Sequence, residues 1–232
     1  MKDGSSVGFS MVLSLAQISQ QLDSDSVKDR KLALAALRDV APEDAVPLIK
    51  KVLKDANQQV RSMAVFSLGV KQTPECLDIL VNMLQTEEDY GVRADAAGAL
   101  GYLEDVRALE PLVRAFYEEK EWLVRFSAAV ALGNLKDPRA KDTLLVALKS
   151  EEVVLQQAAI AALGEIGALD TIDNILAFIQ SEDWLVRQRL AESLGRMPSE
   201  KGRSALRYLT KDGNSNVAEA ARLSLQTLET DS

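Results

Sequence analysis

VRADAAGALGYLEDVRALEPLVRAFYEEKEWLVRFSAAVALG, residues 92–133, contains one phrase twice. Val92–Gly101 and Val124–Gly133 both read Val-Arg-x-x-Ala-Ala-x-Ala-Leu-Gly. Working outward, the phrase returns as VRSMAVFSLG ending at Gly69 and VRQRLAESLG ending at Gly195, with a degenerate copy, LQQAAIAALG, ending at Gly164. The key position is Arg61, Arg93, Arg125, Gln156 and Arg187, at spacings of 32, 32, 31 and 31 residues. The register extends back to Arg30 and forward to Ala218. Self-similarity at this period is the mark of a stacked repeat.

Each unit predicts two helices. Ala108, Leu109, Leu112, Val113 and Phe116 recur at three- and four-residue spacing and mark a first helix, A. EEKE (118–121) breaks it, and Val124, Ala128, Ala129 and Leu132 mark a second helix, B. A pair of about 30 residues cannot cover its own apolar faces, so neighbours must supply the cover. The expectation is an all-α protein: an α-solenoid of about seven helical hairpins in a right-handed superhelix, forming a single domain over 12–229. Its units close near Arg38, Gly69, Gly101, Gly133, Gly164, Gly195 and Gln226, with atypical first and last members as caps. The glycines are expected to close helix B, where a left-handed φ or a close helix approach is cheap without a Cβ. Pro74, Pro138 and Pro198 suit turns between hairpins, and Pro47 and Pro111 the starts of A helices.

Composition narrows the function. The 232 residues are 47% apolar but only 5% aromatic, which favours closely packed helices. A net charge of -8 argues against nucleic-acid binding, where basic patches supply most of the affinity. Histidine is absent, which removes His-based triads and His-ligated metals, and no metal is expected. Cys76 is the only cysteine, so no internal disulfide forms. No apolar run is long enough to span a membrane. The opening MKDGSSVGFSMVLSLAQ reads as a frayed terminus rather than a signal peptide, giving a cytosolic setting. There is no G-x-S-x-G motif, phosphate loop or metal-ligand set. The chain is therefore expected to hold another molecule rather than to run self-contained chemistry.

The unit D/E-x(4–5)-V-R-x(2)-A-A-x(2)-L-G resembles the HEAT-like repeats of the phycobilisome lyase class. Longer stretches, among them RSMAVFSLGVK (61–71), WLVRFSAAVALGNLKDPRAKD (122–142), QQAAIAALGEIGALD (156–170) and SEDWLVRQRLAESLG (181–195), look like the phycobilisome degradation proteins, the NblB family. The resemblance covers roughly residues 45–229. It implies an accessory, non-enzymatic protein that interacts with phycobiliproteins. It further implies binding or detachment of an open-chain bilin such as phycocyanobilin during phycobilisome degradation, in the cytoplasm at thylakoid-bound phycobilisomes. A lyase or lyase subunit is an alternative, as is an assembly scaffold with no small ligand, because a cyanobacterial HEAT protein implicated in iron–sulfur assembly has the same texture. Lyases of this class work as two-chain complexes. No compact catalytic motif carries over.

In stacked hairpins the B helices usually line the concave side. Tyr90, Trp122 and Trp184 occupy one equivalent position at the edge of their B helices, with Phe66, Tyr102 and Phe126 nearby. A bilin needs an aromatic wall, cations for its propionates and an acceptor for its pyrrole N–H groups. The candidate groove is Tyr90, Arg93, Asp95, Trp122, Arg125, Phe126, Trp184 and Arg187, centred on the unit 90–102. There Asp95 stands where Met63, Ser127, Ala158 and Arg189 stand elsewhere, and Gly98 replaces Phe66, Val130, Ala161 and Glu192. Each feature also has a plainer reading. The Arg row is structural, paired with acids or carbonyls such as Asp55, Glu87, Glu119 or Asp183. The tryptophans pack repeats together, and Asp95 is a solvated carboxylate. Cys76, near the start of an A helix, is either a packing residue or a point of covalent attachment through a vinyl group. A monomer is expected, with dimerisation through a terminal repeat as the alternative.

Overall fold

The computed structural model describes residues 13–230, and the reading of the first twelve residues as a frayed terminus lies outside them. Among the described residues there are fourteen α-helices and no strand. They form seven hairpins of an A and a B helix: α1 (Leu15–Leu22) with α2 (Val27–Ala36), α3 (Pro42–Lys50) with α4 (Gln58–Lys71), and α5 (Pro74–Thr86) with α6 (Tyr90–Tyr102). Then come α7 (Leu109–Glu118) with α8 (Trp122–Asn134), α9 (Lys141–Ala147) with α10 (Val153–Glu165), α11 (Ile172–Leu176) with α12 (Trp184–Arg196), and α13 (Glu200–Leu209) with α14 (Ser215–Thr230). Pro42 and Pro74 open their A helices at a position that needs no N–H donor. Pro47 lies within α3 rather than at its start.

The repeated phrase explains each B helix. Asn57, Asp89 and Asp183 cap α4, α6 and α12 with side-chain oxygens that accept backbone N–H groups of the first turn. Val60, Val92, Val124, Leu155, Val186 and Val217 enter the core at 0% exposure, followed by Leu68, Leu100, Leu132, Leu163 and Leu194. The A helices close this core from the other side with residues such as Leu80, Leu112, Leu144, Ile175 and Leu206. The result is one continuous apolar core along the stack.

The glycines work by close approach and not by a left-handed turn. They lie within or at the end of helical backbone, and a Cβ on Gly101, Gly133, Gly164 or Gly195 would sit 2.7–2.8 Å from Ala131, Ala162, Ser193 or Ser224 of the next B helix. The facing position is always small, because both surfaces must be thin for the backbones to meet. Left-handed backbone occurs three residues later, at Gln72, Glu104, Lys136 and Gly167. Successive B helices thus pack tightly along their lengths, whereas successive A helices touch little. A stack that is shorter along one row bends toward that row, which places the B helices on the inside of the curve.

The repeated arginine fixes each loop rim. Arg93 Nη1 donates to the Glu87 carbonyl at 2.9 Å, while Nε and Nη2 grip Glu119 of the next loop at 2.7 and 3.1 Å. Arg187 does the same with the Ser181 carbonyl and Asp212. Arg61 takes the Asp55 carbonyl and Glu87, Arg125 takes Glu152, and Arg30 takes Asp55. Gln156, the odd member, keeps only the carbonyl bond, to Ser150 at 2.8 Å. Asp183 is not an arginine partner of this kind: it caps α12 and accepts from Gln157.

Candidate functional site

Side chains three and six residues before each glycine, and one after it, share the face of the B helix that points into the curve. In α4 these are Phe66, Met63 and Val70; Phe66 and Val70 are exposed and Met63 is half-buried. In α6 the equivalents are Gly98, Asp95 and Tyr102. Phe66 and Tyr102 meet edge to face with ring centres 6.3 Å apart. A cavity of about 630 Å³ lies here between α2, α4 and α6, walled by Leu34, Met63, Phe66 and Val70, with Ser62, Asp95, Arg38 and Lys71 at its polar margins. That volume falls in the range of about 300–1,000 Å³ usual for small-molecule sites. Phe66 and Val70 leave this apolar wall open to solvent.

Asp95 is exposed to solvent at the edge of the groove. Partial burial pushes its carboxyl above the ordinary carboxylate range; a hydrogen bond from Ser62 pulls it down and the charge of Asp89 pushes it up again. Such a carboxylate gains from a donor that replaces the lost water. Gly98, one turn on, has no atom within 4 Å of where its Cβ would be, so no neighbouring helix accounts for it. It leaves open space beside Asp95.

Along the curve the same face changes character. On α8 Ser127 is half-buried and Val130 exposed, Ala161 follows on α10, and α12 presents Arg189 and Glu192, which pair with each other at 2.7 Å. The apolar part of the groove is therefore its N-terminal half.

The expected groove residues divide accordingly. Asp95 lies on the inner face; Phe126, half-buried, stands one residue off it, in the slot of Ser62 and Ala94. Arg93, Arg125 and Arg187 do not lie on it: their guanidiniums are held in the ion pairs of the rim, those of Arg93 and Arg187 by carbonyl bonds as well. Tyr90, Trp122 and Trp184 are the first residues of α6, α8 and α12 and are 50%, 48% and 41% exposed. They stand on that rim, at the position from which Gln58 reaches Asp89 of the next unit at 2.9 Å. Cys76 is fully buried in α5, its Sγ 3.1 Å from Thr73 Oγ1, so no ligand reaches it without displacing the start of that helix. Sequence reading passed over Arg38, Met63, Val70 and Lys71. Lys71 carried a usable signal, because the same slot holds Leu103, Leu135, Ile166 and Met197 in the other units.

The HEAT-repeat profile matches residues 15–101, 77–158 and 142–226, which together span most of the chain. This chain belongs to the HEAT-repeat family. No curated protein sequence matches it. Among solved structures, this HEAT-repeat protein is similar to a chain of the complex of CpcE and CpcF of phycocyanin lyase from Nostoc sp. PCC7120. The identity is 18%, 98% of each chain is covered and the TM-score is 0.62. It is also similar to the archaeal HEAT-like repeats protein from Thermococcus onnurineus NA1, with 18% identity over 94% of this chain and 98% of that one, TM-score 0.54. Kap95p, solved with RanGDP, gives a TM-score of 0.63 at 13% identity over 93% of this chain and 35% of its own. These likenesses establish the HEAT solenoid. No helix among the described residues is long and apolar enough to cross a membrane.

Proposed function

We propose that this HEAT-repeat protein is a non-enzymatic binding protein of the phycobilisome, which engages phycobiliproteins and takes their open-chain bilin into the groove between α2, α4 and α6 during phycobilisome degradation. The observation that carries the reading is the cavity itself: an apolar wall of Met63, Phe66 and Val70 with a carboxylate, Asp95, at its margin. A bilin is an elongated conjugated plane with pyrrole N–H donors along one edge. The wall suits the plane and Asp95 suits the N–H groups. The Gly98 opening gives the edge room beside Asp95. The texture of the repeats, which resembles the degradation proteins, supplies the biological setting.

The test is an absorbance and fluorescence titration of phycocyanobilin. A saturable red-shifted spectrum is expected, weakened about tenfold by Phe66→Ala, the truncation of a single aromatic anchor. Asp95→Asn weakens it as well, and Trp122→Ala, on the rim, leaves it alone. No spectral change at any ratio sinks the bilin reading and leaves a protein-binding scaffold, which pull-down with phycobilisomes then examines. The end-to-end match to a phycocyanin lyase chain motivates a second reading, as one subunit of a two-chain lyase. Bilin transfer to apo-phycocyanin only when a second HEAT chain is added would favour it.

A further inference from the structure

The slot two residues after each repeat glycine is apolar in four units, as Leu103, Leu135, Ile166 and Met197. In α4 it is Lys71, only 7% exposed. Its ammonium donates to the Arg38 carbonyl at 2.8 Å and the Val40 carbonyl at 2.5 Å. Among the described residues it makes no ion pair, so two backbone carbonyls are what hold this buried cation. A buried charge is normally paired, because desolvation penalises it otherwise. An ammonium has three N–H donors, and these bonds use two. Lys71 also lines the cavity of the groove, as do Arg38 and Asp95. The Arg38 guanidinium is 81% exposed and meets only Asp39, at 3.5 Å, an open surface pair of little strength. The lining of this apolar cavity thus carries two cations, neither held in a strong ion pair, against the single carboxylate of Asp95, in a chain whose net charge is -8.

We propose that Lys71 and Arg38 anchor the carboxylate of an elongated apolar ligand, whose body lies along Met63, Phe66 and Val70. The inference rests on the groove being a ligand site and deepens that reading, because it names the contact that orients the molecule. The bound carboxylate supplies the ion-pair partner that Lys71 lacks among the described residues. In a bilin the group is a propionate; a long-chain fatty acid offers the same chemistry.

Binding is measured by absorbance or fluorescence for four probes: phycocyanobilin, its dimethyl ester, cis-parinaric acid and its methyl ester. The free acid binds about tenfold or more tightly than its ester, the usual effect of one charge-assisted contact. Lys71→Met, the residue that the register itself uses at position 197, abolishes that preference, so that acid and ester bind alike. Arg38→Ala reduces the preference several-fold; it removes an exposed side chain, so it decides the matter even if Lys71→Met fails to fold. Equal affinity of acid and ester in the native protein overturns the anchor, as does a preference that survives both substitutions. Phycocyanobilin binding without acid preference keeps the bilin reading and removes the anchor. Parinarate binding through Lys71 with no bilin binding does the reverse. Binding of none of the four probes removes both.

Discussion

Alanine at Gly133 and alanine at Gly98 are expected to move stability in opposite directions, although each replaces one glycine on a B helix. At Gly133 the new Cβ would lie 2.7 Å from both Cα and Cβ of Ala162. Carbon atoms in contact prefer about 3.5–4.0 Å, so the shortfall is about 1 Å. Ala162 cannot rotate away, since both atoms belong to the α10 backbone or are fixed to it. Relief requires moving α8 from α10, and overpacking that must shift backbone falls in the upper part of the usual range, about 2–3 kcal/mol. Helix propensity returns about 1 kcal/mol. The net loss is about 1–2 kcal/mol, a fall in Tm of roughly 2–8 °C for a chain of this size. At Gly98 nothing lies within 4 Å, so only the propensity gain remains, about 0.5–1 kcal/mol. Thermal melts followed by circular dichroism and by tryptophan fluorescence measure both, the two probes being needed because repeat arrays can melt in segments. A Gly133→Ala protein as stable as the parent refutes the close-approach account of the repeat glycine. If a ligand uses the opening at Gly98, Gly98→Ala weakens binding even as it raises Tm.

Left-handed backbone at Lys136, φ 51°, strains a residue that has a Cβ. Lys136→Gly therefore stabilises the protein by about 0.5–1 kcal/mol in urea titration, after the extra chain entropy of glycine is deducted. Arg93→Ala strips Glu119 and the Glu87 carbonyl of their partner and costs about 2–3 kcal/mol. Arg93→Gln costs less, since Gln156 shows that glutamine keeps the carbonyl bond. Acid titration separates two carboxylates. The hydrogen bond from Arg187 holds Asp212 below the ordinary range, burial opposing it; its stabilisation is present above the unfolded value, about 3.9, and is lost as pH falls through the folded one. Asp95 is shifted the other way, mainly by burial, so its ionised form weakens the fold at neutral pH and the penalty fades as pH falls through the raised folded value. Asp95→Asn accordingly raises Tm at neutral pH, by a margin that shrinks in acid; a margin independent of pH would contradict the assignment.

The seven hairpins were legible because the Val-Arg-x-x-Ala-Ala phrase repeats at nearly constant spacing and marks one helix of every unit. What glycine does there was not legible. A left-handed turn and a thin helix face both select glycine, and only the position of Ala162 against Gly133 decides between them. The left-handed residues Gln72, Glu104 and Lys136 have ordinary side chains and give no compositional sign. The groove was half legible. Asp95 and Gly98 stood out as departures from the register, and both lie on the inner face. The conspicuous aromatics and arginines led to the rim, because large or charged side chains attract a binding interpretation wherever a helix begins. Lys71 was passed over among the arginines, although a charge in a hydrophobic slot is the stronger departure.

A repeat protein carries its own control. Each structural slot is filled several times, so what packing alone requires can be read from the other copies and subtracted. The Arg row survives this test as structure, since five units use it in the same bonds. Asp95, Gly98 and Lys71 do not survive it, since none does what its counterparts do. Two of these departures, Asp95 and Lys71, line one cavity, and Gly98 lies one turn from Asp95 on the same face. Arg189 and Glu192 depart from the same two slots on α12, but they pair with each other and leave no group unmatched. The meeting of Asp95, Gly98 and Lys71 beside the apolar wall of Met63, Phe66 and Val70 is the observation on which the proposed ligand site rests, and the probe titrations decide it.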